Sequence, residues 1–463
     1  MLRSLLSGLN DRPSERLRQP QPLLKTRVRS GRGAMEQPNV TSDGDAALTV
    51  RFWIALVLTG VVTGLVGAGL MALLFHVEHA AFGPGRAGNE SGVLASSATR
   101  RLESLVVAGC FGATAWYLLR RFTPGRSSEI DDVVWRGTGS LSVRRSVGTA
   151  LISEIVIGLG ASLGREAAPK LLGGVSGGVL GRRLGLSAAQ RRLLIACGGG
   201  AGLACVYNVP LGGAFFTAEI LLGSVSIATM LPALACCSVA SVTAWIYLPA
   251  QPTYSAVPEY RLTAALLAWT VLAGPLIGVG AAAYIRLIGW LSFHRPTGWG
   301  SLAAPIVAFT ALGLVGLRYP QLFGNGKDMA HGVLLGLGSV GLLLTLAVLK
   351  PAVTALCLAS GASGGLFTPV MSTGAVLGGG LGLLWDRVWP GAPVGAYAMV
   401  GAAAAIGCAM QAPLTGLVLV LELTHSGFAL MPAMVTAVVL ATMVVRYLDG
   451  YSIYSARLPP VPT

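Results

Sequence analysis

Charge is what this chain has least of. Only 11% of its 463 residues are Asp, Glu, Lys or Arg, where soluble globular chains carry about 25%. With 53% hydrophobic residues, that excludes an ordinary soluble domain and leaves an integral membrane protein. The apolar runs are long and unbroken, which excludes the short alternating strands of an outer-membrane barrel. Bulky aromatics are also scarce. Nine Trp stand against 63 Gly, a ratio suited to helices whose backbones approach closely in lipid. Cysteine is sparse and odd in number. The seven residues, at 110, 197, 205, 236, 237, 357 and 408, all lie in apolar segments and read as small buried hydrophobes, not disulfides. The adjacent pair Cys236-Cys237 lacks metal-site spacing. No phosphate loop is present either: "GNGKD" (324–328) lacks the earlier glycine spacing and the Ser/Thr after Lys.

What charge there is has one sign, with a net of +14. Residues 1–34 hold seven Arg and one Lys against Asp11 and Glu15, a net of +6 that leaves +8 for the rest. Residues 1–48 read as a disordered basic tail without the apolar core of a secretory signal, cytoplasmic by the positive-inside rule. Met35 competes with Met1 as initiator. So short a basic run does not call for a nucleic-acid partner. Arg182, Arg183, Arg191 and Arg192 form a second basic loop, read as a cytoplasmic anchor. Lys170 and Lys350 read as structural, facing water or snorkelling to an interface.

Apolar segments run from about Val50 to about Arg446. Some can span a bilayer (52–75, 262–290, 427–446); others, around 169–181 and 369–385, are short and broken by Gly and Pro. Short broken segments in matching halves point to a site made by discontinuous helices. The halves do match. "AGLACVYNVPLGGAFFTAEI" (201–220) aligns without gaps on "AAIGCAMQAPLTGLVLVLEL" (404–423). Cys205, Pro210, Leu211, Gly213 and Glu219 fall 203 positions before Cys408, Pro413, Leu414, Gly416 and Glu422, and Asn208 pairs with Gln411. A second block, shifted by 200, sets Gly164, Pro169, Gly174 and Gly178 on Gly364, Pro369, Gly374 and Gly378. The expected organisation is an all-α polytopic membrane protein with a first membrane repeat over 49–250 and a second over 251–450. A short segment, 451–463, follows; only nine residues lie beyond Tyr454, too few for an appended regulatory module.

The charged cluster "SLGREAAPK" (162–170) interrupts one apolar run. Charge at the bilayer centre costs on the order of 3 kcal/mol or more per group, so such residues are functional candidates. "GREAAP" and "GGLFTP" each place Gly before a helix start and Pro within its first turn. Proline there loses no hydrogen bond, and glycine lets a ligand approach the backbone. Unpaired N–H groups and the helix dipole make each such end an anion site. Arg165 adds positive potential. Glu166 then occupies the place of an anion: ionised it competes, protonated it is neutral and can swing away.

These motifs resemble the CLC family of chloride channels and chloride/proton exchangers, over roughly 50–460. "GREAAP" is similar to that family's GREGP, with Ala168 in place of the second Gly, and "SGASGGLFTP" (360–369) to its GxFxP. "NVPLGG…E", "QAPLTG…LELT" and "IYSARL" (453–458) fit its flanking helices and terminal Tyr-Ser segment. The resemblance implies an inverted repeat of tilted and broken helices, a homodimer and one anion pathway per subunit, with no enzymatic activity and no cofactor. It implies Glu166 as the gating glutamate. Gly365 and the amides of Leu366 and Phe367 would hold the anion beside Arg165, with the Tyr454 hydroxyl as a further donor and Tyr451 as a competitor for that role.

Two departures stand out. Where the family's GSGIPE loop supplies a serine, counting back from "GREAAP" puts Gly125 in "PGRSSE" (124–129). Ser127 or Ser128 are the possible substitutes, and anion selectivity depends on which group serves. Proton-coupled members also carry a glutamate directly after the position matched by Glu219, and here that residue is Ile220. The missing relay favours a passive or weakly coupled glutamate-gated chloride channel. A chloride/proton antiporter is the alternative, with Glu154, twelve residues before Glu166, as a non-standard relay. Glu219, matched to Glu422, reads first as a structural or capping group and second as a proton site. The expected partners are chloride, other small anions and protons, and membrane lipid, in a bacterial inner membrane. "HVEH" (76–79) reads as an interfacial cap before a metal site. A remote alternative, an intramembrane serine protease with Ser363 of "GASG" as nucleophile and His331 or His425 as base, leaves both repeat motifs unused.

Overall fold

Backbone N–H and C=O groups in lipid have only each other as partners, and the described residues answer with helices alone: seventeen α-helices and no strand. The computed structural model describes residues 48–83, 92–123, 130–136 and 141–458. The basic tail up to residue 47, and Gly125, Ser127 and Ser128 of the "PGRSSE" loop, lie outside them.

The first nine helices are α1 (Val50–Phe82), α2 (Gly92–Ala95), α3 (Ala98–Phe122), α4 (Ile130–Arg136), α5 (Val143–Gly158), α6 (Ala167–Arg183), α7 (Ala188–Tyr207), α8 (Pro210–Phe215) and α9 (Ile227–Ala244). Eight more follow: α10 (Ala264–Phe293), α11 (Gly300–Arg318), α12 (Lys327–Leu334), α13 (Val340–Ala359), α14 (Phe367–Trp385), α15 (Val394–Met410), α16 (Pro413–Thr424) and α17 (Met431–Leu448). Eight of the described helices are long and apolar enough to cross a membrane, and the protein is a multi-pass integral membrane protein. Their outer faces stay apolar: on α10, Leu272, Leu276 and Val279 are each more than half exposed, a stripe suited to contact with lipid.

The order α6–α9 recurs as α14–α17. Two local devices mark the correspondence. α7 ends at Asn208 and α15 at Gln411, each in the left-handed conformation with φ of 57°, a turn that non-glycine residues other than Asn rarely adopt. Each turn delivers a proline, Pro210 or Pro413, to the first position of the next helix, where its missing N–H is harmless. Close packing recurs too. α6 meets α7 where Gly173 faces Gly198, and α14 meets α15 where Gly374 faces Gly401. A Cβ at Gly374 would stand 2.6 Å from the Gly401 carbonyl oxygen, so no side chain fits without parting the helices.

The helix after Pro210 continues as a π-helical turn, Phe216–Leu221, that carries Glu219. Among the cysteines, Cys110 departs from expectation: it is exposed on α3, whereas the other six are buried. α3 presents it on a side that no other described helix covers.

Candidate anion site

Glycine sets the site. The loops before α6 and α14 run past each other antiparallel, with Gly164 N–H donating to the Gly365 carbonyl at 2.8 Å and Gly365 N–H donating back at 2.7 Å. That reciprocal pair holds the N-termini of the two helices side by side. Both glycines lie against the Glu166 carboxylate; a Cβ on Gly164 would stand 2.6 Å from its Cδ. A larger residue at either position would evict the side chain.

Glu166 occupies the N-cap of α6, but its side chain bonds nothing of its own helix. Its carboxylate crosses to the other repeat. Oε1 accepts the Phe367 N–H at 2.8 Å, the first free amide of α14. Oε2 accepts from the Tyr207 hydroxyl at 3.0 Å and from Thr368 Oγ1 at 3.3 Å. The Tyr207 and Thr368 hydroxyls also meet each other at 2.5 Å. Only 4% of Glu166 is exposed, so these donors stand in for its water. A carboxylate here rests on the positive end of the α14 dipole, in the position an anion would take.

Arg165 points the other way. Its guanidinium lies over the rings of Tyr207 and Phe75, 5.0 and 5.7 Å from their centroids, and borders a cavity of about 360 Å³ shared with Glu78, His79, Lys327 and Asp328. Glu78 and His79 of "HVEH" thus face this cavity, while His76 Nδ1 engages the Ala72 carbonyl.

Tyr454 is buried and Tyr451 is 42% exposed. The backbone between them is fastened by Ile453 N–H, which donates to the Ala409 carbonyl at 2.8 Å. The Tyr454 ring meets Phe216 edge-on at 6.2 Å, and the Lys170 ammonium sits 4.8 Å from its centroid. Lys170 also reaches both oxygens of Asp131 at 3.3 Å. It therefore neither faces bulk water nor snorkels, since α6 turns it toward the buried side of α4.

Lys350 departs further from expectation. It is fully buried, and its ammonium donates to Ser162 Oγ at 2.8 Å and to the carbonyls of Gly324 and Leu322 at 2.8 and 3.1 Å. The interface it reaches is the loop Phe323–Asn325 and the start of "SLGREAAPK", not a membrane surface. Three acceptors replace its water, which is how a buried ammonium is tolerated.

The remaining acidic residues separate in role. Glu154 on α5 is fully buried and neither of its carboxylate oxygens has a hydrogen-bond partner; its neighbour Ser153 donates to the Ser363 carbonyl at 2.6 Å, tying α5 to the loop before α14. Glu219 accepts from the N–H groups of Leu414 and Thr415 at 3.2 and 2.7 Å and from Thr415 Oγ1 at 2.7 Å. Ile220 is buried, its carbonyl accepting from Trp135 Nε1. His331 Nε2 engages the Ser255 carbonyl at 2.8 Å, and His425 forms the left-handed end of α16. Sequence reasoning missed Tyr207, Thr368 and Asp131. Thr368 sat inside a motif already singled out; nothing local marked the other two.

Comparison with known proteins agrees with this architecture. Residues 111–446 match the voltage-gated chloride channel family. A ClcB-like chloride-channel-type protein of Ralstonia nicotianae is 32% identical over 342 residues, 71% of this chain and 78% of that one. The proton/chloride exchange transporter ClcA of Vibrio campbellii is 27% identical over 371 residues, 77% of this chain and 79% of its own. Among solved structures, a slow cyanobacterial chloride/proton antiporter superposes with a TM-score of 0.76 at 23% identity, covering 88% of this chain and 97% of that one. A CLC-type fluoride/proton antiporter superposes at 0.72 with 20% identity, over 88% and 97%. The fold, the reciprocal glycine pair and the sequence match together make this chain a member of the CLC family, the voltage-gated chloride channel family.

Proposed function

We propose that this protein carries chloride across a membrane through a pathway in each subunit, gated by Glu166 and passive or weakly coupled to protons. One observation carries the reading: the Glu166 carboxylate sits 2.8 Å from the Phe367 amide, so gate and anion compete for one donor. Leu366, Gly365 and Tyr454 frame the same route, and Arg165 adds positive potential from over the Tyr207 ring. Family membership, and relatives named for chloride transport, support the substrate. The pathway lies between two repeats, 49–250 and 251–450, in a homodimer of the bacterial inner membrane.

Passive conduction is supported by Ile220, which cannot relay a proton, and by Glu219, whose carboxylate is taken up by three donors of α16 and its start. A second reading, chloride/proton antiport, is favoured by Glu154. That carboxyl is buried without partners, within electrostatic reach of Glu166 and Arg165, as a proton-carrying group would be. Several relatives are named as exchangers.

Liposomes loaded with chloride and monitored for external pH separate the two. Chloride efflux without coupled proton movement supports the passive reading. Proton movement driven uphill by the chloride gradient, and abolished in Glu154→Gln, establishes antiport instead.

A further inference from the structure

We propose that the Lys170 ammonium is a second anion site, one helical turn along α6 from Glu166, and that the Asp131 carboxylate is its resident competitor; this rests on the chloride-transport reading above.

Lys170 N–H donates to the Glu166 carbonyl, so the two side chains leave α6 on the same face. The ammonium then lies over both the Tyr454 and the Phe216 ring, 4.8 and 5.6 Å from their centroids. Ring faces attract a cation but accept no ordinary hydrogen bond. Of the described residues, Asp131 alone supplies carboxylate oxygens to Lys170, and both stand at 3.3 Å. Charge-assisted N–H···O bonds are ordinarily about 2.7–2.9 Å, so this contact is loose. The lysine side chain is 14% exposed where the aspartate is 3% exposed, so of the two partners the lysine is the more accessible.

The arrangement repeats the logic of Glu166. There a carboxylate rests on the amide an anion would use; here a carboxylate rests on the ammonium an anion would use. An ammonium is a compact point charge with three rotatable donors and lacks the planar fork that selects carboxylate or phosphate. It suits a small spherical anion such as chloride. The rings shield the site from the bulk, where screening would weaken it. Tyr454, to which the family resemblance assigns an anion contact, touches this same ammonium.

The test is calorimetric titration of chloride into purified protein, paired with chloride efflux and proton flux from liposomes. Asp131→Asn removes the competitor and keeps the shape, and tightens chloride binding roughly tenfold, as loss of one close opposing charge does. Lys170→Met weakens binding by a similar factor. Because that variant leaves the Asp131 carboxylate charged without its lysine, the double variant Lys170→Met/Asp131→Asn is measured beside it; it stays folded and binds as weakly. Lys170→Arg retains most of the affinity. A folded double variant that binds chloride as wild type does overturns the site while wild-type flux leaves the transport reading standing. Unchanged affinity with proton flux lost makes the pair a proton path and equally overturns it. Wild-type protein that moves no chloride sinks both.

Discussion

Glu219 and Glu422 cap each other's helices. Glu219 on the α8 extension accepts from Leu414 and Thr415 at the start of α16, and Glu422 on α16 accepts from Leu211 and Gly212 at the start of α8, at 3.0 and 2.5 Å. Two residues 203 positions apart in sequence thereby lock the two halves with the same bond made twice. A carboxylate at a helix N-terminus satisfies unpaired N–H groups and meets the positive end of the dipole.

The reciprocal cap gives the first prediction. Glu219→Gln and Glu422→Gln each lower thermal stability in detergent by about 1–2 kcal/mol, the worth of hydrogen bonds to a charged acceptor less what the amide retains. The double variant departs from additivity, because both residues clamp the same pair of helices. Chloride flux and any proton flux of Glu219→Gln match wild type once folded protein is normalised. A selective loss of proton flux would give Glu219 a transport role.

Tyr207 and Thr368 tie down the gate from outside its own helix. Tyr207→Phe deletes one donor to Glu166 Oε2 and leaves the ring beneath Arg165. A hydrogen bond to a charged group is worth about 1.5–3 kcal/mol, so the carboxylate leaves the Phe367 amide more readily and flux at neutral pH rises roughly tenfold. Stopped-flow efflux checks it; flux equal to wild type would mean that the tyrosine does not hold the gate.

Lys350 anchors the loop against which the charged cluster packs. Lys350→Met leaves Ser162 Oγ and the Gly324 and Leu322 carbonyls without that donor. Stability falls by about 2–4 kcal/mol, since buried acceptors left unmade carry their full desolvation penalty. Thermal unfolding in detergent measures it, and an equally stable variant would show that the ammonium's own burial offsets its bonds.

Much of this was legible in the sequence, for a physical reason. Helix starts need Gly, Pro and capping groups close together in the chain, so Gly164, Glu166, Phe367 and Pro369 announced themselves in short motifs. Repetition exposed the rest of the frame: Pro210 with Pro413, Asn208 with Gln411, Glu219 with Glu422. What stayed hidden depends on contacts made across the chain. Tyr207 reaches Glu166 from 41 residues away, and nothing in "CVYNVP" tells a gate donor from a buried ring. Asp131 follows the loop where a serine was sought, and its meeting with Lys170 needs α4 laid against α6. Lys350 was read by residue type alone, and an isolated lysine on an apolar helix gives no hint that three oxygens converge on it.

The central claim is that the Glu166 carboxylate and the transported anion compete for one place. Chloride efflux from liposomes, measured for wild type and Glu166→Ala over a series of pH values, tests it most directly. Wild-type flux should rise as pH falls, because protonation removes the charge that holds the side chain on the Phe367 amide. Glu166→Ala should be fast and indifferent to pH. A folded Glu166→Ala protein that keeps the wild-type pH dependence, or that moves no chloride at any pH, would contradict the account.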